Sequence, residues 1–456
     1  MLRKGDLTQG GITGTLLHFT LPMLVGSFLQ QCYNIADTLI VGQCIGAGAL
    51  AAVGSAYTLM VFLISVLLGL AMGSGTVFSL HYGAGNHVAL RRSIFSSFVL
   101  IGIVTLILNV AVFIWLDPIL RLLQVPQDIY GMMRSYLWII FCGIVFTFIY
   151  NFYASLLRAV GDSVTPLWFL AVSVVLNIAL DLFFILQLDW GIQGAAAATV
   201  LAQGVAALGI IIYTYRRRPE LRWHHEDMCF DRTCLKEIAS FSTLTCIQQS
   251  VMNLGILMVQ GLVNSFGVTV MAAFAAAVKI DSFAYMPVQD FGNGFSTFIA
   301  QNLGAGKTDR IQKGIRSAFL CSFLFCLFIS AVVLLFAERL MLIFIRPEEL
   351  EIITIGAGYL RIEGACYFAI GFLFLFYGFY RAIKKPGMSV ILTAASLPRH
   401  RQAVYVLSFN RHFPGNPCSS FLHARTNSGL RDFRYLVVHP YRLVPGGCRG
   451  GVVFLL

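Results

Sequence analysis

Ten long apolar stretches, separated by short polar segments, make up most of the chain. A helix of about 20 apolar residues crosses the roughly 30 Å hydrocarbon core of a bilayer. We therefore predict ten membrane-spanning helices, called spans 1 to 10 in chain order. Their predicted bounds are 15–41, 48–80, 92–116, 132–156, 164–187, 193–215, 236–261, 268–301, 312–336 and 353–380. This pattern predicts an all-α polytopic membrane protein.

The chain also repeats itself. Ser79–Gly85 after span 2 matches Ala300–Gly306 after span 8, and Leu157–Ala159 after span 4 matches Tyr380–Ala382 after span 10. The repeat predicts two six-helix lobes by internal duplication. Because six is an even number, both lobes insert in the same sense.

The repeat sets the predicted domain boundaries. The N-terminal six-helix lobe covers 1–215, a basic cytoplasmic linker covers 216–235, and the C-terminal lobe covers 236–397. Residues 387–397 begin an eleventh helix, but they are too few to cross a bilayer. We therefore expect a second lobe truncated after ten helices plus this stub.

From Pro398 the composition changes abruptly. Residues 398–456 contain eight arginines, no lysine and five of the thirteen prolines. No hydrophobic period is visible there. Two interpretations stay open for this tail outside the membrane body: a soluble regulatory segment, or a disordered product of translation in a shifted frame.

Charge predicts the orientation in the membrane. Basic residues concentrate in the N-terminal segment and in the connections after even-numbered spans, where we place Arg91, Arg158 and Arg381. Cytoplasmic loops are enriched in such residues, so the N-terminus is expected in the cytoplasm. The net charge of +11 comes largely from these connections and the tail. We therefore expect the lipid bilayer as a partner and no nucleic acid.

Composition excludes whole classes of protein. The chain is 58% hydrophobic and 12% charged, and its mean hydropathy is +0.79, which excludes an ordinary soluble domain. No nucleophile arrangement, metal pair or HExxH motif lies at membrane depth, so an enzyme is not expected. The cluster His224–Asp227 lacks ligand-spaced partners and is interpreted as a solvated loop.

Span 1 carries a carboxylate. Pro22, Gly26, Gln30, Asn34 and Asp37 follow one another at steps of three and four, and so form one polar and small stripe. An ionised aspartate at membrane depth costs roughly 2.5–3.5 kcal/mol on insertion scales. The stripe is either a seam that packs helices together or part of an ion or substrate site.

Spans 5 and 6 supply further oxygen ligands. Asn177 and Asp181 lie one turn apart in span 5, and Thr199 lies in span 6. With Asp37 they form a set of hard oxygen ligands that suits Na⁺. Two neighbouring carboxylates could instead carry a proton. Both cations stay open, and no other metal or cofactor is expected.

A second group of polar residues predicts a substrate cavity. Gln30 and Asn34 lie in span 1, and Lys279, Asp281 and Asp290 lie in span 8. Charged residues within a span face the bundle interior or a water-filled cavity. Lys279 and Asp281 could also simply neutralise each other across a helix interface.

These features resemble the multidrug and toxic compound extrusion (MATE) transporters of bacteria. The resemblance covers about residues 8–397 and rests on the order of several short motifs along the duplicated chain. The motifs are Asn-Ile-Ala-Asp-Thr-Leu-Ile-Val-Gly at 34–42, the Gly-Ala-Gly turns after spans 2 and 8, Leu-Arg-Ala-Val-Gly-Asp at 157–162 and Ala-Val-Lys-Ile-Asp at 277–281.

The resemblance implies a fold and a site. It implies two six-helix lobes that rock around a central cavity and exchange a cation for an organic substrate. In that family an acidic residue of helix 1, an Asn-x-x-x-Asp of helix 5 and a threonine of helix 6 form the cation site. The matching positions here are Asp37, Asn177, Asp181 and Thr199, and Pro22 matches the proline at which helix 1 bends.

We therefore expect a monomeric, H⁺- or Na⁺-coupled antiporter of the inner membrane that exports organic, cationic or amphipathic drugs. Two alternatives stay open. One is a flippase for lipid-linked precursors or polysaccharides of the same superfamily, which would need a more basic cavity than Lys279 alone provides. The other is a non-transporting truncated gene product.

Overall fold

The computed structural model describes residues 6–122, 125–228, 232–264 and 268–396. Within these ranges the chain is helical and contains no strand. A π-helical turn, Phe183–Gln187, follows α6, and two 3-10 turns, Pro219–Leu221 and His225–Asp227, precede α8. The α-helices are α1 Ile12–Cys44, α2 Ala47–Gly83, α3 His87–Leu122, α4 Gln127–Cys142, α5 Ile144–Ala159, α6 Val164–Leu182, α7 Gly191–Arg217, α8 Arg232–Asn264, α9 Val268–Gly304, α10 Thr308–Met341, α11 Leu350–Gly364, α12 Tyr367–Ala382 and α13 Pro386–Ser396.

The all-α polytopic fold class is confirmed. In the described part of the chain, seven helices are long and apolar enough to cross a membrane, and two bent helix pairs bring the number to nine. Large apolar side chains also lie on the outer surface: Trp168, Val175 and Leu335 are 67%, 69% and 76% exposed. Such a surface is unfavourable in water, so it belongs in hydrocarbon. The chain is a multi-pass membrane protein.

Two predicted spans are bent pairs instead of single helices. The span at 132–156 consists of α4 and α5, bent by 47°, and the span at 353–380 consists of α11 and α12, bent by 52°. The first bend lies at Gly143, where an added Cβ would lie 2.5 Å from a methyl carbon of Val200. Glycine at this position therefore lets the bend pack closely against α7.

The predicted span at 236–261 is helical but differs from the other nine. It lies within α8, which is not among the described helices apolar enough to cross a membrane alone. Gln248 and Gln249 are buried there, and Asn253 follows one turn later. Such polar side chains suit a helix that packs against protein more than one that faces lipid.

α1 continues through Pro22 as a single helix. Proline has no N–H, so α1 lacks the hydrogen bond to the carbonyl of His18 at this point. The role of Pro22 as a bend stays a prediction. The stub helix expected at 387–397 is present as α13, and the tail 398–456 lies outside the described residues.

The described chain divides into two compact units. The first contains Met1–Leu254, Phe283–Cys326 and Ile370–Thr393, and the described parts of the second include Gly255–Ser282 and Leu327–Ala369. The predicted lobes at 1–215 and 236–397 are defined by the sequence repeat, and they stay a prediction.

The second unit has its own polar and aromatic contacts. Ser330 Oγ donates to the carbonyl oxygen of Gly364 at 2.6 Å, and the rings of Phe274 and Tyr359 pack edge to face. Lys279 Nζ lies 5.9 Å from the centre of the Phe344 ring. Such a contact partly compensates a cation for lost hydration.

In the first unit, helices of the two sequence halves meet at glycines. An added Cβ on Gly69 or Gly73 would lie 2.5 Å from the backbone of α8, at Cys246 or Ser242 respectively. Ser74 Oγ and Ser242 Oγ are also 2.9 Å apart. Small residues therefore allow close backbone approach between α2 and α8.

The Gly-Ala-Gly turns extend this contact to the ends of α2 and α9. Gly85 and Gly306 occupy matching positions of the repeat, and both have φ of +69°, a conformation that favours glycine. Gly83 packs on the backbone of Gln301, and Gly304 packs on the carbonyl of Leu80. The repeated motif is therefore a repeated point of helix contact.

The N-terminal segment is fastened to the same place. Leu7 N donates to Gln301 Oε1 at 3.1 Å, and Gln301 Nε2 donates to the carbonyl of Ala159 at 2.7 Å. Arg310 donates to the carbonyls of Leu7, Gln9 and Gly10. One buried glutamine thus connects the N-terminus, α5 and α9.

The His224–Asp227 cluster is only partly a solvated loop. Asp227 is buried and accepts hydrogen bonds from Arg91 Nε at 2.6 Å and from the backbone of His224 at 3.1 Å. Burial acts to raise the pKa of Asp227, but these hydrogen bonds outweigh it and hold that pKa below its ordinary value. The cluster therefore fastens its loop to the start of α3.

Alanine at a contact glycine should destabilise the first unit. Gly83→Ala and Gly304→Ala each force two backbones apart, and overpacking of this kind costs about 1–3 kcal/mol. The matched control is Gly54→Ala in α2, where an added Cβ meets nothing within 4 Å. Thermal unfolding followed by size-exclusion fluorescence should show lower melting temperatures for the first two variants only. A wild-type melting temperature for Gly83→Ala would contradict this packing.

Candidate functional site

The predicted cation ligands lie together in the first unit, where α1 and α7 both pack against α6. Asp181 and Asn177 are fully or almost fully buried on one face of α6, and Thr199 is buried on α7. Asp181 stands in the last turn of α6, directly before the π-helical turn. Asp37 reaches this group from α1.

Asn177 holds the arrangement in place. In the amide orientation that satisfies both of its ends, Asn177 Nδ2 donates to Asp181 Oδ2 at 2.9 Å. Its Oδ1 then accepts from the backbone N and from Oγ1 of Thr199, at 3.1 and 3.2 Å. The asparagine thus fixes the Asp181 carboxylate and joins α6 to α7.

Asp37 and Asp181 form a carboxyl pair. The two carboxyl groups lie within hydrogen-bonding distance of each other. Among the described residues, neither Asp37 Oδ1 nor Asp181 Oδ1 has a hydrogen-bond partner. Ionised carboxylates only accept hydrogen bonds, so two of them in contact need a proton or a cation between them.

Two tyrosines beside the pair were missed from the sequence. The Tyr33 hydroxyl lies 3.4 Å from Thr199 Oγ1, and Tyr136 of α4 lies close enough to both aspartates to interact with them electrostatically. Tyr33 precedes Asp37 by one helical turn, so helical spacing could have found it. Nothing in the sequence links Tyr136 to the site, because that contact depends on how α4 packs.

The oxygen atoms present fit two ligands. The carboxylates, Asn177 and Thr199 offer hard oxygens of the kind that Na⁺ and other hard cations accept. The contact between the two carboxyl groups equally suits a shared proton. In the described residues, no group of three or more histidine, cysteine or acidic side chains is placed to hold a metal ion.

A cavity of about 430 Å³ opens beside this site within the first unit. Asn177 and Thr199 belong to both, so they connect the carboxyl pair to the cavity. Among the substrate candidates, Gln30, Asn34 and Asp290 line the cavity, as does Pro22. Lys279 and Asp281 belong to the second unit, and their role stays a prediction.

The polar and small stripe on α1 both packs against another helix and lines the cavity. Gly26 packs against Leu167 and Leu170 of α6, which is the behaviour of a packing seam. Gln30 and Asn34 line the cavity, and Ser27 donates a hydrogen bond to Asp290 of α9. Packing and polar recognition therefore share one helix face.

Two basic residues that the sequence places in connections belong to helices. Arg158 and Arg381 stand in the last turns of α5 and α12 and line the cavity, while the predicted orientation in the membrane stays a prediction. Arg381 is only 5% exposed. A basic residue at the end of an apolar stretch can point inward as well as outward, and spacing alone does not distinguish the two. The cavity is therefore more basic than Lys279 alone suggested.

The thermal stability of the purified protein tests whether Asp37 and Asp181 bind a cation together. A ligand at 100 times its Kd stabilises the folded protein by about 2.7 kcal/mol. We expect the melting temperature of the wild type to rise on adding Na⁺ at constant pH, or on lowering the pH. Asp37→Asn should lose that rise, because one partner of the pair becomes neutral.

The control for this measurement is Asp117→Asn. Asp117 is outside the site and pairs with Arg134 at 2.8 Å on the surface, so its replacement should leave the cation-dependent rise unchanged. A rise in Asp37→Asn as large as that of the wild type would contradict the paired site.

Comparison with known proteins identifies the relatives of this chain. The MatE family model matches residues 22–183 and 244–404, which is more than half of the chain. The probable multidrug resistance protein YpnP of Bacillus subtilis is 30% identical over 388 residues, covering 84% of this chain and 85% of YpnP. YoeA of the same organism, also called a probable multidrug resistance protein, is 28% identical over 73% of each chain.

Solved structures show the same fold. An outward-facing multidrug resistance MATE transporter of the MOP superfamily superimposes with a TM-score of 0.81 at 22% identity, over 86% of this chain and 87% of that one. The Vibrio cholerae MATE transporter VcmN superimposes with a TM-score of 0.81 at 25% identity, over 89% and 91% of the two chains. These matches confirm the resemblance stated from the sequence.

Proposed function

Since the chain belongs to the MATE family of transporters, we propose that it is a cation-coupled antiporter that exports organic compounds. Its substrates are cationic or amphipathic drugs, and its N-terminus faces the cytoplasm of a bacterial cell. The observation that carries the proposal is the contact between Asp37 and Asp181 beside a cavity. The name of the relative YpnP, a probable multidrug resistance protein, supports drug export.

Coupling requires that cation and substrate favour different states of the protein. A ligand shifts a conformational equilibrium only by its difference in affinity for the two states. Asn177 and Thr199 provide the connection. Asn177 hydrogen bonds to the Asp181 carboxylate, Thr199 hydrogen bonds to Asn177, and both residues line the cavity. A cation at the carboxyl pair therefore changes the hydrogen bonds of Asn177 and Thr199, which line the substrate cavity.

Each site residue has a defined part in this proposal. Asp37 and Asp181 bind the H⁺ or Na⁺, and Asn177 and Thr199 orient Asp181 and provide oxygens. Tyr33 of α1 hydrogen bonds to Thr199. A change in the hydrogen bonds of Thr199 on cation binding therefore also affects α1. Gln30, Asn34 and Asp290 contact the polar parts of the substrate, while the remaining lining holds its apolar part.

Transport by reconstituted protein tests the function. In proteoliposomes, an imposed proton or Na⁺ gradient should drive accumulation of ethidium, a cationic probe, or of rhodamine 110, a zwitterionic probe. Asp37→Asn should abolish the accumulation that depends on the gradient, because the carboxylate pair is lost. Comparing the two gradients identifies the coupling ion.

Asp128→Asn is the matched control, since Asp128 lies in the first turn of α4 and is not part of the site. It should transport like the wild type. Full gradient-driven transport by Asp37→Asn would contradict the proposal. Failure of the wild-type chain to move either probe would instead support the alternative of a non-transporting product.

A further inference from the structure

Two arginines line the cavity without an ion pair. Arg158 and Arg381 occupy matching positions of the internal repeat, at the ends of α5 and α12, and both line the cavity. In the described part of the chain, neither forms a salt bridge with an acidic side chain. Removing a charge from water is unfavourable unless an opposite charge or enough hydrogen bonds compensate for the lost hydration.

The hydrogen bonds of these arginines are few and neutral. Arg381 donates to Asn293 Oδ1 at 2.9 Å and to Ser296 Oγ at 3.3 Å, both on α9. Arg158 Nε is buried and has no hydrogen-bond partner among the described residues. A guanidinium has five N–H donors, so donors of both arginines stay available to a ligand in the cavity.

Asp290 is the one acidic residue of the described cavity lining, and it lies close enough to Arg158 to interact with it electrostatically. Its carboxylate accepts a hydrogen bond from Ser27 and forms no salt bridge with either arginine. One carboxylate offsets one of the two positive charges at most. The cavity therefore keeps an excess of positive charge on this side.

We propose that Arg158 and Arg381 bind an anionic group of the substrate, either a carboxylate or a phosphate. This inference rests on the proposed transport function and specifies its substrate class: amphipathic compounds that carry an anionic group, including zwitterions. Guanidinium groups form strong charge-assisted hydrogen bonds to both kinds of anion. Apolar side chains of the lining, such as Met23, Leu170 and Met286, would hold the apolar body.

Two related dyes separate the anionic group from the rest of the ligand. Rhodamine 110 has a free carboxylate, and rhodamine 123 is its methyl ester, so the two dyes share one apolar body. Binding is measured by fluorescence anisotropy with the full chain in phosphatidylcholine nanodiscs, without an ion gradient. We expect the wild type to bind the free acid about tenfold more tightly, as suits one charged hydrogen bond.

Substitution of the arginines should remove this preference. Arg158→Gln and Arg381→Gln should each reduce it, and the double variant should bind both dyes with equal affinity. Arg381→Lys keeps the charge and should keep part of the preference. Arg134→Gln, at an exposed surface ion pair, is the control, and each variant must elute like the wild type in size exclusion.

Phosphatidylglycerol in the nanodiscs distinguishes two sources of the anion. If it weakens binding of rhodamine 110 to the wild type but not to the double variant, a phospholipid headgroup occupies the same arginines. If it has no effect, the site selects free organic anions. Both results support an anion site and differ only in its natural occupant.

Equal binding of the two dyes by the wild type would overturn the inference, as would a preference for the acid that persists in the double variant. The result is independent of coupling, because no gradient is applied. If Asp37→Asn transports fully while the arginine variants lose the preference, the coupling proposal fails and the anion site stands.

Discussion

The contact between the Asp37 and Asp181 carboxyl groups is the constraint on which the rest of the site depends. Two ionised carboxylates repel each other, and burial away from water strengthens that repulsion. The pair is therefore compatible with the fold only when a proton or cation offsets part of its charge. Asn177 donates a hydrogen bond to Asp181 and accepts hydrogen bonds from Thr199, and both Asn177 and Thr199 line the cavity. A change of charge at the pair therefore affects the hydrogen bonds of the cavity wall.

The packing elsewhere in the first unit holds helices close together. Glycines of α2 approach the backbones of α8 and α9, and an added methyl group at Gly69 or Gly73 would collide with them. Small residues therefore position the helices, and the few polar side chains between them carry the chemistry. Arg158 and Arg381 belong to this second group, although they stand at helix ends.

Much of the site could be predicted from the sequence because it follows helical spacing. Asn177 and Asp181 share a face since they are one turn apart, and the stripe from Pro22 to Asp37 follows the same rule. The meeting of α1, α6 and α7 could not be derived from spacing, because it depends on tertiary packing. For the same reason Tyr136 was missed. The bend at Gly143 was also missed, since hydropathy reports how apolar a segment is and not whether it is straight.

For Arg158 and Arg381, a rule based on the sequence predicted a location that the structure does not show. The positive-inside rule counts basic residues near the ends of spans, and it treated Arg158 and Arg381 as loop residues. Their position in the cavity wall changes the expected chemistry of the cavity. Their matching positions in the repeat were visible in the sequence, but a shared position does not say which way a side chain points.

In the proposed mechanism, a cation at the carboxyl pair and a substrate in the cavity bind in competition. By thermodynamic linkage, a substrate that lowers the affinity of the protein for the cation causes bound cation to dissociate when the substrate binds. The most direct measurement is the release of H⁺ or Na⁺ into weakly buffered solution when rhodamine 110 is added to purified protein. We expect release from the wild type that saturates with dye binding, and no release from Asp181→Asn. Saturating dye binding to the wild type without release of either cation would contradict it.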